Sequence, residues 1–247
     1  MKKISVFVLL AIFFTLNLGA IDFSLSAGAG PFAGGLFTRY TLKADGISIK
    51  IDAGQEMNQF NFGGLFFFDA AFCELDFYVQ RGMNTWSQIF DIAAMQSNKP
   101  ATGDGWETMI GFSLLGKYPF SLTRQLILFP LIGMEYQICL VQERTQPDGS
   151  IYNRSDGLRE KDKDGKAYEL SSWNSFFVDL GAGIDFALTG KIFLRGELLY
   201  SFRLMTIYEK KNLDYLKAMT GDNNPKLGGL TSGPVFRLLI GSRFFSF

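Results

Sequence analysis

Several ionisable residues recur at even spacings along this chain: Glu74 and Asp76, Asp179 and Asp185, then Arg195, Glu197 and Arg203. Even spacing puts side chains on one face of an extended strand. Glu107, Lys117 and Glu135 sit in comparable surroundings, among Gly, Ser and Gln. Acids and bases on one face can pair, conduct or transfer protons. The chain has no histidine, so it lacks the commonest general base and the commonest metal ligand. Ser-His and Cys-His nucleophile pairs are excluded in their usual forms. The stretch "RSDGLREKDKDGKAYE" brings Asp156, Glu160, Asp162 and Asp164 near Gly165. It lacks the regular Asp-x-Asp-x-Asp-Gly spacing and the distal Glu of a calcium loop, and reads as a solvated charged loop. The ten charged positions are therefore expected to form a structural polar network, with no metal, no cofactor and no catalytic role.

The elements that hold these residues alternate with period two. In "QFNFGGLFFFDA", Phe60, Phe62, Phe66 and Phe68 share a face and Gln59, Asn61 and Asp69 the other. "AAFCELDFYVQRG" sets Cys73, Leu75, Phe77 and Val79 against Glu74, Asp76 and Gln80. "WETMIGFSLLGKY" sets Trp106, Ile110, Phe112 and Leu114 against Glu107, Ser113 and Lys117. Similar patterns run from Leu126, from Ser172, from Ile192 and from Gly233, and the first strand starts near Ile21. This predicts eight strands of about ten residues or more, an all-β protein. The 26 Phe and 27 Gly residues fit that reading.

Connections alternate in length. Short joints fall near Asp69–Ala70, at "PFSLTRQ" and at "LTGK"; long ones cover 31–58, 82–105, 142–171 and 206–232. Within the second, "SQIFDIAAMQ" has the spacing of a short amphipathic helix, and Trp86 falls in the loop. Tight turns at one rim and long connections at the other describe an up-and-down barrel. Pro130 within a strand predicts a bulge or a place near the rim. Cys73 and Cys139 fall on strands that are not neighbours and are expected to remain unpaired.

One face of each strand is almost free of charge over about five positions. A lipid-facing wall requires this, because Arg or Lys at mid-bilayer costs roughly 2–4 kcal/mol. The charged faces then line the inside, where acids and bases must pair. The reverse arrangement, an apolar interior in a soluble lipocalin-like carrier, is the alternative. The first twenty residues, with "MKK", the apolar run Ile4–Leu16 and "NLGA", read as a cleaved signal peptide, leaving 21–247 as one barrel domain. Trp106 and Trp173 fit an aromatic girdle. Equal numbers of basic and acidic residues give no reason to expect nucleic acid as a partner.

The chain stops on "RFFSF". This end, with the strand number, the connections and the leader, resembles the small eight-stranded outer-membrane barrels of the OmpX, OmpW, opacity-protein and OmpA-barrel group. The resemblance implies a closed antiparallel transmembrane β-barrel in the cell outer membrane, in contact with outer-membrane lipid. It also implies that Phe245 and Phe247 belong to a signal read by the barrel assembly machinery. Members of the group are surface proteins that bind host factors or other extracellular ligands through their loops, or narrow channels for small or hydrophobic solutes. Strict alternation back from Phe247 and Phe245 would send Arg243 and Arg237 into lipid. A bulge near Arg243 or a frayed end would reconcile the two faces.

Overall fold

A computed structural model describes residues 24–45, 50–70, 72–92, 101–145, 174–204 and 225–246, with short pieces at 151–153, 160–161, 167–168, 214 and 217–218. The leader lies outside the described residues, as do Trp173 and Phe247. Eight long strands make up almost all of the described chain: β1 (Ser24–Asp45), β2 (Lys50–Ala70), β3 (Cys73–Ile92), β4 (Ala101–Lys117), β5 (Leu126–Thr145), β6 (Ser175–Ala187), β7 (Ile192–Arg203) and β8 (Lys226–Ser246). Each pairs antiparallel with the next, and β8 pairs back onto β1, so the sheet is a closed ring. A path leaving β1 at Ala27 steps through Phe68, Leu75, Leu114, Met134, Val178, Phe202 and Ser232. It returns to β1 at Phe37, ten residues further on. That stagger tilts the strands and leaves an interior just wide enough for side chains.

The short joints are tight turns. Two share one design: in Leu122–Leu126 and Leu188–Ile192 a threonine hydroxyl accepts backbone N–H bonds from two and three residues on. Thr123 takes those of Gln125 and Leu126 at 3.2 and 3.1 Å, and Thr189 those of Lys191 and Ile192 at 3.2 and 2.9 Å. Near the first of them Pro130 lies opposite a break in the β4 side at 118–119, between Lys117 and the two-residue strand Phe120–Ser121. That is the rim position expected of a strand proline.

At the other end the structure corrects the sequence reading. The segments 31–58 and 82–105 are mostly strand: β1 runs to Asp45, β2 starts at Lys50, and β3 reaches Ile92. The stretch expected to be helical is strand through Ile92, and Trp86 sits on β3. β5 and β8 also cut into the third and fourth connections. About 9–11 tilted residues cross a bilayer, so strands of 20 to 22 residues project well beyond it. Past the apolar band lipid no longer enforces alternation, and pairing continues without the pattern that reveals it.

Candidate functional site: the barrel lumen and wall

The interior is polar and the exterior apolar. Phe66, Phe77, Leu114, Ile132 and Leu198 lie outside, each 47 to 61% exposed, whereas Glu74, Asp76, Asp179, Arg195, Glu197 and Arg237 are at most 2% exposed. A water-soluble protein of this size would bury the first set and expose the second. Each strand pairs with both of its neighbours and the ring has no open edge strand, as a hydrocarbon environment demands. The chain is a transmembrane β-barrel.

No family model matches the chain, and no curated protein does. Several solved structures are similar to it. The outer membrane protein OprG from Pseudomonas aeruginosa has 11% identity, with 91% of this chain and 96% of that chain covered and a TM-score of 0.45. Neisserial surface protein A has 13% identity, covering 88% and 99%, at a TM-score of 0.35. The outer membrane protease OmpT from Escherichia coli has 7% identity, covering 90% and 97%, at 0.32. These likenesses carry no inference about function, and the barrel assignment stands on register and exposure.

Near the short-turn end, Arg195 holds a cluster of carboxylates. It bonds Asp185 at 2.7 and 2.9 Å, Asp69 at 2.7 Å and Glu74. Lys117 pairs with Asp69 and lies 3.7 Å from Glu74. The Arg195 guanidinium is also within 4.6 to 5.1 Å of the ring centroids of Phe67, Phe129 and Phe193. One step further up β3, Arg237 bonds Asp76 at 2.7 Å and Glu197 at 3.3 Å, with Glu135 at 3.9 Å. Ser113 donates to Asp76, and Gln137 donates to Glu135 at 2.6 Å. Asp179 lies opposite Ser201 in the register and makes no ion pair among the described residues.

Inward glycines make this filling fit. A Cβ on Gly111 would meet the Tyr78 ring, and one on Gly183 would meet Phe129. Each aromatic lies over a neighbouring strand with no side chain beneath it.

Toward the long-connection end the filling changes. Glu107 is held by amides: Gln142 at 2.9 Å, Asn84 at 3.3 Å and Gln59 at 3.4 Å. Above it Thr38 and Thr231 bond at 2.9 Å, and Tyr40 reaches Thr231 at 3.1 Å. Arg203 donates to the Tyr40 hydroxyl and stacks 5.6 Å from its ring.

Of the ten charged residues singled out in the sequence, eight belong to the lower clusters or lie beside them. Glu197 joins the two arginine groups, 3.9 Å from Arg195 and 3.3 Å from Arg237, so these residues form one continuous network; Glu107 lies above it among amides and Arg203 near the upper rim. Sequence reasoning placed Asp69 on the inner face without counting it in the network, and missed Arg237. The signal for Arg237 was present, since it alternates with Phe236, Leu238 and Ile240 on the outer face. It also missed Gln142, which faces inward because Leu140 is an extra residue against β4, where Thr108 pairs with Val141 and Met109 with Cys139.

A second bulge settles the chain's end. Leu25 pairs with Phe245 and Ser26 with Arg243, leaving Phe244 extra. Phe244 and Phe245 therefore both face outward, while Arg243 lies 5.2 Å from the Phe193 ring. On the outer wall Trp106 is half-buried beneath Arg81, whose guanidinium is 4.7 Å from the ring centroid. Neither Cys73 nor Cys139 is in a disulfide. Among the described residues no set of acids or thiols is arranged to hold a metal ion.

Proposed function

We propose that the protein is an outer-membrane barrel that acts as a rigid, non-conducting mount, with the connections at its long-strand end meeting ligands outside the cell. The observation that carries this reading is the filled lumen. Arg195 and Arg237 reach across the bore to Asp69, Glu74 and Asp76 of β2 and β3 and also bond Asp185 and Glu197 on adjacent strands, with buried rings packed against Arg195. A lumen cavity bounded by Asn61, Gln80, Glu135, Gln137 and Arg237 holds about 20 Å³, roughly one water. The reading is of a binding and structural protein rather than an enzyme. Outward Phe245 supports recognition of the C-terminal end by the barrel assembly machinery.

A second reading, a narrow solute channel, is favoured by one feature. Among the described residues eight acids are buried in the lumen (Asp69, Glu74, Asp76, Glu107, Glu135, Asp179, Asp185 and Glu197) against three bases, Lys117, Arg195 and Arg237. A path through that lining would prefer cations. Conductance in planar bilayers decides between the two. Purified barrel should give no discrete steps; cation-selective steps would overturn the mount and establish the channel.

A further inference from the structure

We propose that the outer wall at β2–β4 binds a phosphate-bearing lipid, with the headgroup on Arg81 and an acyl chain in the recess beside Gly64. The outward face of β2 reads Phe60, Phe62, Gly64, Phe66, Phe68, so Gly64 is a gap in a row of rings. A side chain there would meet nothing within 4 Å. The gap continues over Ala29 and is walled by Phe66, Phe77, Val79, Ile110 and Phe112, a recess of about 530 Å³. It is shallow and open to the surrounding medium along its length. Unfilled, its walls would forfeit dispersion contacts. In a bilayer the molecules that reach this surface are lipids.

Arg81 fixes which kind. Gly64 pairs with Val79, and Arg81 is the next outward residue on β3 toward the long-connection end. It is therefore about 7 Å along the strand from the recess. Its register partners are Phe62 and Thr108, and Val79 and Met83 flank it on the same face. None carries a charge. Stacking on Trp106 orients the guanidinium but leaves its charge in place. A cation on an apolar wall extends to the headgroup region and takes an anion there. Arg39, by contrast, also faces outward but already has Glu56 at 3.1 Å. A recess for one chain and an uncompensated guanidinium one residue pair above it match the two ends of a phospholipid in the leaflet on the long-connection side.

The inference rests on the membrane-spanning fold and not on whether the lumen conducts. The test is native mass spectrometry of the full barrel released from a neutral detergent. The probes are phosphatidylglycerol, diacylglycerol with the same chains, and inorganic phosphate as competitor. Wild type should retain phosphatidylglycerol but neither diacylglycerol nor free phosphate. Arg81→Gln should weaken retention about fivefold, the worth of one basic residue at a lipid surface. Gly64→Phe should weaken it with Arg81 intact, and Arg39→Gln should leave it unchanged. Each variant is first shown to keep its heat-dependent gel shift; Arg81→Lys, which retains the charge, provides a second test at that position and should bind better than Arg81→Gln. Equal retention by wild type, Arg81→Gln and Gly64→Phe overturns the site. So does equal binding of diacylglycerol, or displacement by inorganic phosphate.

Discussion

The two ends of the lumen are filled by different means. Toward the short turns, guanidinium and ammonium groups meet several carboxylates at once, with Phe67, Phe129 and Phe193 excluding water. Among the described residues toward the long connections, amides and hydroxyls bond Glu107 and one another, and Arg203 donates to Tyr40. Each charge in the lower half depends on the others, because a buried ion without its partner is far costlier than a buried pair. The upper half is graded, because losing one amide bond leaves others in place. The lower half is thus a lock on the ring, and the upper half a filling that can vary.

The largest break in this contrast should come from Arg195→Met. It strips Asp69, Glu74 and Asp185 of a shared partner and should cost about 3–5 kcal/mol. The temperature at which the compact, unboiled gel band disappears should fall sharply, and no single substitution in the upper half should match it. Gly111→Val comes next, since its side chain would occupy the space of the Tyr78 ring. Overpacking of this kind should cost about 1–3 kcal/mol on the same assay. The smallest effect belongs to Glu107→Gln. An amide there still accepts from Gln142 and Asn84, and the loss should be at most about 1 kcal/mol. A Glu107→Gln barrel as fragile as Arg195→Met would erase the distinction between the halves.

Much of this was legible in the sequence where lipid enforces it. Phe60, Phe62, Phe66 and Phe68 face out and Gln59, Asn61 and Asp69 face in because one face must be apolar. Three things were not legible. Strands continue to Asp45 and Ile92 because backbone pairing persists in water, where neither face must be apolar; Ile89, Phe90 and Ile92 then mimic helical spacing. The extra residues Leu140 and Phe244 shift the parity of their strands, and period-two reading cannot see an insertion. The aromatic lumen residues are invisible for a different reason. In "LFFFD" both faces carry rings, so Phe67 reads like its lipid-facing neighbours until Gly28, across the sheet, proves to leave it room.

The central claim is that the apolar side of this ring faces lipid and the charged side fills it. Gel mobility of the detergent-extracted outer-membrane fraction, with and without boiling, tests this most directly. A closed barrel should resist SDS when unheated, run as a compact species and shift on boiling. Recovery in the soluble periplasmic fraction, with no shift, would contradict the account and turn the barrel inside out.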